Sequence, residues 1–243
     1  MTGLYRIAGK CIAIHSIYAK VHEQCKGYET SGTPDFSVTI SPEDIIFERE
    51  KSNREHEFEN LPIPNFSEEL LEVTAVYRKI ADKMLDYNTF VFHGSVIAVE
   101  NQAFLFTAKS GTGKSTHTRL WREYLKDRAV MVNDDKPLIQ ISEQGVIAYG
   151  TPWNGKHHIG ENISVPLKAI CILTRAEENH IVKISKSQAY PMLLQQVYRP
   201  QNQERMQKTL ALIDNMAETV ELYRLGCNMN LEAAEIAYNE MKG

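Results

Sequence analysis

The stretch AKSGTGKSTHT, residues 108–118, constrains this chain more than any other. An apolar run, AFLFTA, leads straight into it, and a helical pattern leaves it from about Lys114 to Leu125. Strand, glycine loop and helix in that order predict an α/β sheet. Read as a P-loop, the stretch gives Ala108-x-x-x-x-Gly113-Lys114-Ser115, with alanine where glycine is commoner. Gly111 and Gly113 let the backbone bend so that the amides of Ser110, Gly111, Thr112, Gly113 and their neighbours through Thr116 can gather around an anion. The new helix turns its positive end to the same place. Lys114 then reaches the β- and γ-phosphates of a nucleotide, and the Ser115 hydroxyl faces Mg²⁺. The competing reading is a flexible turn with a solvated lysine, and the strand and helix on either side argue against it.

A second motif follows in AVMVNDDKPL. Four apolar residues before Asn133-Asp134-Asp135 put two carboxylates at the end of a strand, where an α/β nucleotide site places its acids. Mg²⁺ takes one or two carboxylates together with phosphate oxygens and water. One aspartate therefore suffices for the metal, which leaves the other free to accept a proton.

Around these motifs, residues 1–66 read as a β-rich lobe. YRIA and CIAIHS flank a turn at Gly9-Lys10, FSVTI and IIFE follow around Ser41-Pro42, and EREKSNREHEFENLPIPN reads as an exposed connection. Tyr5, Tyr18 and Tyr28 are expected to pack the sheet of that lobe. Residues 67–243 form the larger domain. It opens with a helix capped by Ser67, with Leu70, Thr74, Tyr77, Ala81 and Met84 on its apolar face. TFVFHGSVIAVE and AFLFTA read as strands, PLIQI and VIAYG as a hairpin, and the C-terminal part as mainly helical with one strand, VELYRL.

Composition excludes several classes. A net charge of −4, with no window of clustered basic residues, gives nothing to recruit nucleic acid. No apolar run is long enough to span a bilayer, and no signal-peptide pattern opens the sequence. The four cysteines, Cys11, Cys25, Cys171 and Cys227, lack metal-ligand spacing and read as reduced thiols. A cytoplasmic location is the expectation, with self-association into a homo-oligomer left open.

Three segments in order, Phe92-His93-Gly94-Ser95, AKSGTGKST and VNDDKPLI, resemble the catalytic domain of HPr kinase/phosphorylase and its relatives in the phosphoenolpyruvate-carboxykinase-like group. Thr116 stands where the regulatory kinase has glutamate. With TPWNGK and the C-terminal VELYRL, the likeness is to the short HPr-kinase-related proteins and not to the regulatory enzyme itself. The resemblance implies a P-loop core with a mixed central sheet, ATP and Mg²⁺ held by Lys114 and Ser115, and Asp134 and Asp135 sharing metal binding and deprotonation of an acceptor. Asp134 is assigned to the metal, Asp135 to the base, and His93 to orienting or assisting that base.

Lys156, in the TPWNGK loop, is a candidate to close over the nucleotide. His157 and His158 read as loop histidines, and Arg199 as a helix-end arginine. The expected activity is ATP-dependent phosphorylation of a hydroxyl, ranked first as serine of a peptide or protein and second as a small hydroxylated metabolite. The rival is a nucleotide-sensing regulatory ATPase that transfers no phosphate.

Overall fold

The computed structural model describes residues 1–243, which separate into two compact units, Met1–Lys83 and Met84–Gly243. In the first unit, β1 (Thr2–Ile7) and β2 (Lys10–His15) form an antiparallel hairpin. Its two turn residues, Ala8 and Gly9, both have positive φ, the backbone that matches the twist of the flanking strands. After the short α1 (Lys20–Gln24), β3 (Phe36–Thr39) adds parallel to β2 and completes a three-stranded sheet. Tyr5 and Tyr28 are buried with this sheet, whereas Tyr18 is half-exposed and its hydroxyl donates to Glu68.

The lobe is less β-rich than its sequence suggested. IIFE and the charged run after it are helical and belong to α2 (Pro42–Phe58). Ser41-Pro42 is no turn between strands: Ser41 caps the helix in a reciprocal box with Asp44, and Pro42 occupies the first helical position. Only Ile45 and Glu48 are buried along α2, so the helix depends on charge. Lys51–Glu55 and Glu50–Arg54 pair along one face, and Arg78 of α3 (Glu68–Met84) pairs with Glu48 and Asp44. The buried face of α3 runs through Leu71, Val76, Tyr77, Ile80 and Ala81. Leu70 and Thr74, assigned to that face by periodicity, are exposed.

The second unit is built on a nine-stranded mixed sheet. Its strands are β4 (Thr89–Val91), β5 (Ser95–Val99), β6 (Gln102–Thr107), β7 (Ala129–Asn133), β8 (Leu138–Ser142), β9 (Gly145–Tyr149), β10 (Ser164–Arg175), β11 (His180–Lys183) and β12 (Glu221–Cys227). Its helices are α4 (Lys114–Leu125), α5 (Lys186–Gln195), α6 (Gln203–Thr219) and α7 (Glu232–Met241). The long β10 joins two parts of the sheet. Its first residues pair with β9, and the remainder lies parallel between β6 and β12. On the far side of β6 come β5 and then β7, both antiparallel to their neighbours.

Alternation along the strands divides the core into two layers. Phe104 and Phe106 of β6 and Ile97 and Val99 of β5 meet Trp121 of α4 and Ala237 and Tyr238 of α7. Leu105, Val96 and Ala98 point the other way, onto Leu212, Ile213 and Met216 of α6 and Leu193 of α5. The three deepest thiols, Cys11, Cys25 and Cys171, are buried and unpaired, and Cys227 is half-buried. No helix is long and apolar enough to cross a membrane.

Gly150 ends β9 and leads the chain toward the Thr151–Lys156 loop. A Cβ at this position would lie 1.8 Å from the Glu161 carbonyl oxygen and 2.8 Å from that of Val132. Neither is a side chain that can turn aside. Gly150→Ala should therefore cost about 1–3 kcal/mol, read as a lowered urea midpoint at unchanged m-value.

Candidate active site

The strand expected over TFVFHGSVIAVE is broken at His93-Gly94, and the break serves the site. The amide of Phe92 donates to Pro137 O (3.1 Å) and that of Gly94 to Asp135 O (3.0 Å). This docks the interruption against the loop that follows β7. His93 is held at both of its own backbone groups: its amide donates to Gln196 O (2.6 Å), and its carbonyl accepts from Thr107 Oγ1 (3.1 Å). Gly94 is packed so closely that a Cβ would stand 2.9 Å from Phe106 O. The outcome is a His93 Nε2 to Asp135 Oδ1 distance of 3.4 Å.

The paired acids are aimed by the residue before them. Asn133 is fully buried, and its Oδ1 accepts from the amides of Asp135 (2.9 Å) and Lys136 (2.7 Å). Its Nδ2 donates to Thr151 Oγ1 (3.0 Å), which fixes the carboxamide from the other side. Such an Asx turn folds the chain sharply where the strand stops. It sends the two carboxylates into different surroundings. Asp134 is 6% exposed and accepts from Ser95 Oγ (3.0 Å) and from the Ser115 hydroxyl. The Asp135 side chain retains 33% of its exposure, and that of His93 42%.

The glycine loop takes the form its residues require. Gly111 has φ +74° and Gly113 has φ +119°, regions that favour glycine. Gly113 is the N-cap of α4, and no side chain caps the helix. The amides of its first turn consequently have no carbonyl partner within the helix. Not every loop amide is available, since Thr112 N–H closes a turn on Lys109 O (3.2 Å). Across the loop, Arg175 Nη2 at the end of β10 donates to Gly111 O (2.6 Å).

These elements enclose a cavity of about 420 Å³. Ser110, Gly111, Thr112, Gly113, Lys114 and Ser115 form one wall. His93, Asp134, Asp135 and Lys156 face them. Of the residues assigned from the sequence to the nucleotide, the metal and the base, Thr116 alone lies elsewhere, on the far side of the loop. Arg199 lies between α5 and α6 and lines neither side.

Sequence reasoning gave no part in the site to four residues, among them His157, which it read as a loop histidine. His157 lines the cavity, and its electrostatic influence opposes the upward shift of Asp134. Gly155, at φ +76°, brings the Lys156 loop so near that a Cβ would lie 3.2 Å from the Asp135 Cβ. Ser95 and Asn133 act by orientation. Ser95 is the first residue of β5 after the break at His93-Gly94, in the same short segment as His93, and that nearness in sequence was legible.

Burial governs the protonation states. It pushes the Asp134 carboxyl above the usual carboxylate range, against the hydrogen bonds from Ser95 and Ser115. It lowers Lys114, against the pull of Asp135 and then Asp134. His93 is lowered first by burial and next by the Lys114 charge, while Asp135 acts in the opposite sense. His93 is therefore neutral at neutral pH, able to donate from one ring nitrogen and accept at the other. No group of three or more His, Cys, Asp or Glu side chains stands ready to hold a metal ion. The oxygen donors of Ser115 and Asp134 suit a hard cation that draws its other ligands from phosphate and water.

Fold and site together define a mixed α/β protein whose glycine loop opens a helix beside a pair of strand-end carboxylates. The chain belongs to the ScmC family: the model of the SynChlorMet cassette protein ScmC matches residues 61–232. No curated protein matches it in sequence. Among solved structures it is similar to the Hpr(Ser) kinase/phosphatase from Coxiella burnetii, at a TM-score of 0.35 and 10% identity, over 62% of this chain and 89% of that one.

Proposed function

We propose that the protein is an ATP- and Mg²⁺-dependent kinase that transfers the γ-phosphoryl group to a hydroxyl, with serine of a peptide or protein as the acceptor. One observation carries this reading: Lys114, Ser115, Asp134, Asp135 and His93 line a single cavity with the glycine loop. In the proposed reaction the acceptor oxygen forms a bond to the γ-phosphorus. The bond from that phosphorus to the β,γ-bridging oxygen breaks, ADP leaves, and the hydroxyl proton passes to Asp135.

Each side chain has its task. The loop amides and Lys114 hold the phosphates in line. Ser115 and Asp134 would hold Mg²⁺, which when bound offsets negative charge on the phosphate oxygens. Neutral His93 orients the Asp135 carboxylate without competing for its charge. The partial exposure of Asp135 and His93 leaves an approach from solvent, which supports a side chain on a larger acceptor over a metabolite that needs enclosure.

The reading is tested by incubating the protein with γ-labelled ATP, Mg²⁺ and a fractionated cell extract, followed by mass spectrometry of whatever gains label. Label on serine of a peptide or protein is the expected result. Lys114→Ala should weaken ATP binding or reduce transfer at least about tenfold, the loss of one desolvated charge contact. Label on a small metabolite would overturn the acceptor class, and label only in free phosphate would overturn transfer itself.

A further inference from the structure

The glycine loop has a single tie to the rest of its unit. Between Lys109 and Thr112, the one hydrogen bond to another element runs from Arg175 Nη2 to Gly111 O (2.6 Å). The other bond in this stretch, from Thr112 N–H to Lys109 O (3.2 Å), stays inside the loop. It closes a type II turn, in which Ser110 keeps a negative φ and Gly111, at the third position, has φ +74°. The Gly111 carbonyl and the Thr112 amide belong to one planar peptide unit and point to opposite sides. Arg175 therefore holds that plane at its oxygen while Lys109 holds it at its hydrogen. The planes on either side, which carry the amides of Gly111 and Gly113, lose freedom with it.

The sheet puts Arg175 where it can do this. β10 runs parallel to β6, and Ile172 lies opposite Thr107, the last residue of β6. Arg175 comes three residues later, about 10 Å further along the strand, beyond the point where β6 gives way to the loop. Its backbone is fixed from the other side by β12. Arg175 pairs with Cys227, the Ala176 amide donates to Cys227 O (3.1 Å), and Thr174 Oγ1 donates to Leu225 O (3.2 Å). No carboxylate pairs with the guanidinium, and Gly111 O is its hydrogen-bond acceptor. Arg175 does not line the cavity that holds Lys114 and the acids, so it meets the loop from outside.

We propose that Arg175 is a positioning residue for the glycine loop: its guanidinium grips the Gly111 carbonyl and keeps the loop amides in the arrangement that receives phosphate. This role rests on the phosphate reading of the loop given above. Arginine suits it, because the planar fork is preorganised and its permanent charge strengthens a hydrogen bond to a carbonyl.

Two measurements on the full chain test the role, each with Arg175→Ala and Arg175→Lys. The first is hydrogen–deuterium exchange without any ligand, which reads the loop itself. Exchange of the Thr112 amide should quicken about tenfold in Arg175→Ala, the scale of one lost charge-assisted hydrogen bond. Amides of β10 and β12 should keep the parent rate. Lysine retains a charge and a donor, and should restore much of the slow exchange. The second is equilibrium binding of inorganic tripolyphosphate with Mg²⁺, which should weaken about tenfold in Arg175→Ala and recover to within about threefold in Arg175→Lys.

Unchanged Thr112 exchange in Arg175→Ala would overturn the proposal; if binding weakened all the same, Arg175 would be a direct anion contact. Exchange that quickens equally across β10 and β12 would make it a residue of general stability and overturn the positioning role. Parent-level binding in spite of fast loop exchange would overturn that role while leaving the loop reading intact. Failure of tripolyphosphate to bind the unaltered chain would defeat the loop reading and the role of Arg175 with it.

Discussion

Replacing Asp135 by asparagine should stop phosphoryl transfer while nucleotide affinity stays within a few-fold of the original. The substitution keeps the shape of the side chain and leaves the backbone bond from its amide to Asn133 in place. It removes the one property the proposed reaction requires, a carboxylate that can accept the proton of an attacking hydroxyl. A positioned base contributes roughly 10²–10⁴-fold, so single-turnover transfer should fall by about that factor. Binding should respond weakly and in the opposite sense, because deleting a negative charge beside Lys114 favours an anionic ligand.

Asp134→Asn provides the contrast. That carboxylate is buried against Ser95 and Ser115, so its replacement should weaken Mg²⁺-dependent nucleotide binding as well as transfer. Rapid-quench assays and a fluorescent nucleotide titration, run on both variants, separate the two patterns. Lost affinity with unchanged turnover per bound complex in Asp135→Asn would favour a nucleotide sensor over a kinase.

The parts of this protein that were legible in its sequence share one property: their residues carry their own geometry. Gly111 and Gly113 occupy the positive-φ positions that glycine permits, and AFLFTA alternates onto two layers of core as a central strand must. Asn133-Asp134-Asp135 was readable as a strand end because the apolar run stops there. What escaped reading depends on partners far away in the chain. α2 has almost no apolar periodicity, and its part-buried ion pairs are made with Arg78 of α3, thirty or more positions later. Its cap, Ser41-Pro42 with Asp44, was a local signal that reading Ser41-Pro42 as a turn between strands missed. The phase of α3 failed for a similar reason: buried Glu72, which accepts from the amides of Ile17 (2.5 Å) and Tyr18 (2.9 Å), lies on the side that polarity alone assigns to solvent. In the site, the roles of His157 and Gly155 come from loop closure, which no periodicity encodes.

The largest stability effect should come from Trp121→Ala. Trp121 is fully buried midway along α4. Its ring lies 4.9 Å from Phe106, 5.2 Å from Phe104 and 5.7 Å from Tyr238, so it joins the sheet to both α4 and α7. Its indole nitrogen has no hydrogen-bond partner, so truncation loses packing and breaks no polar bond. Cavities of this kind cost about 3–5 kcal/mol. The same helix begins with Lys114 and Ser115, and Trp121 is the main aromatic weight that holds it to the strand feeding the loop. Loss of that anchor should lower the denaturation midpoint and, in the fraction still folded, loosen the first turn enough to weaken nucleotide binding. Saturating nucleotide should then recover less stability in the variant than in the parent, because stabilisation by a ligand follows the ratio of its concentration to Kd. Urea titrations of both proteins, with and without ATP and Mg²⁺, measure each quantity. A loss below about 1 kcal/mol would show that α4 is held elsewhere, and equal recovery by ligand would show that the helix start is organised by the glycine loop alone.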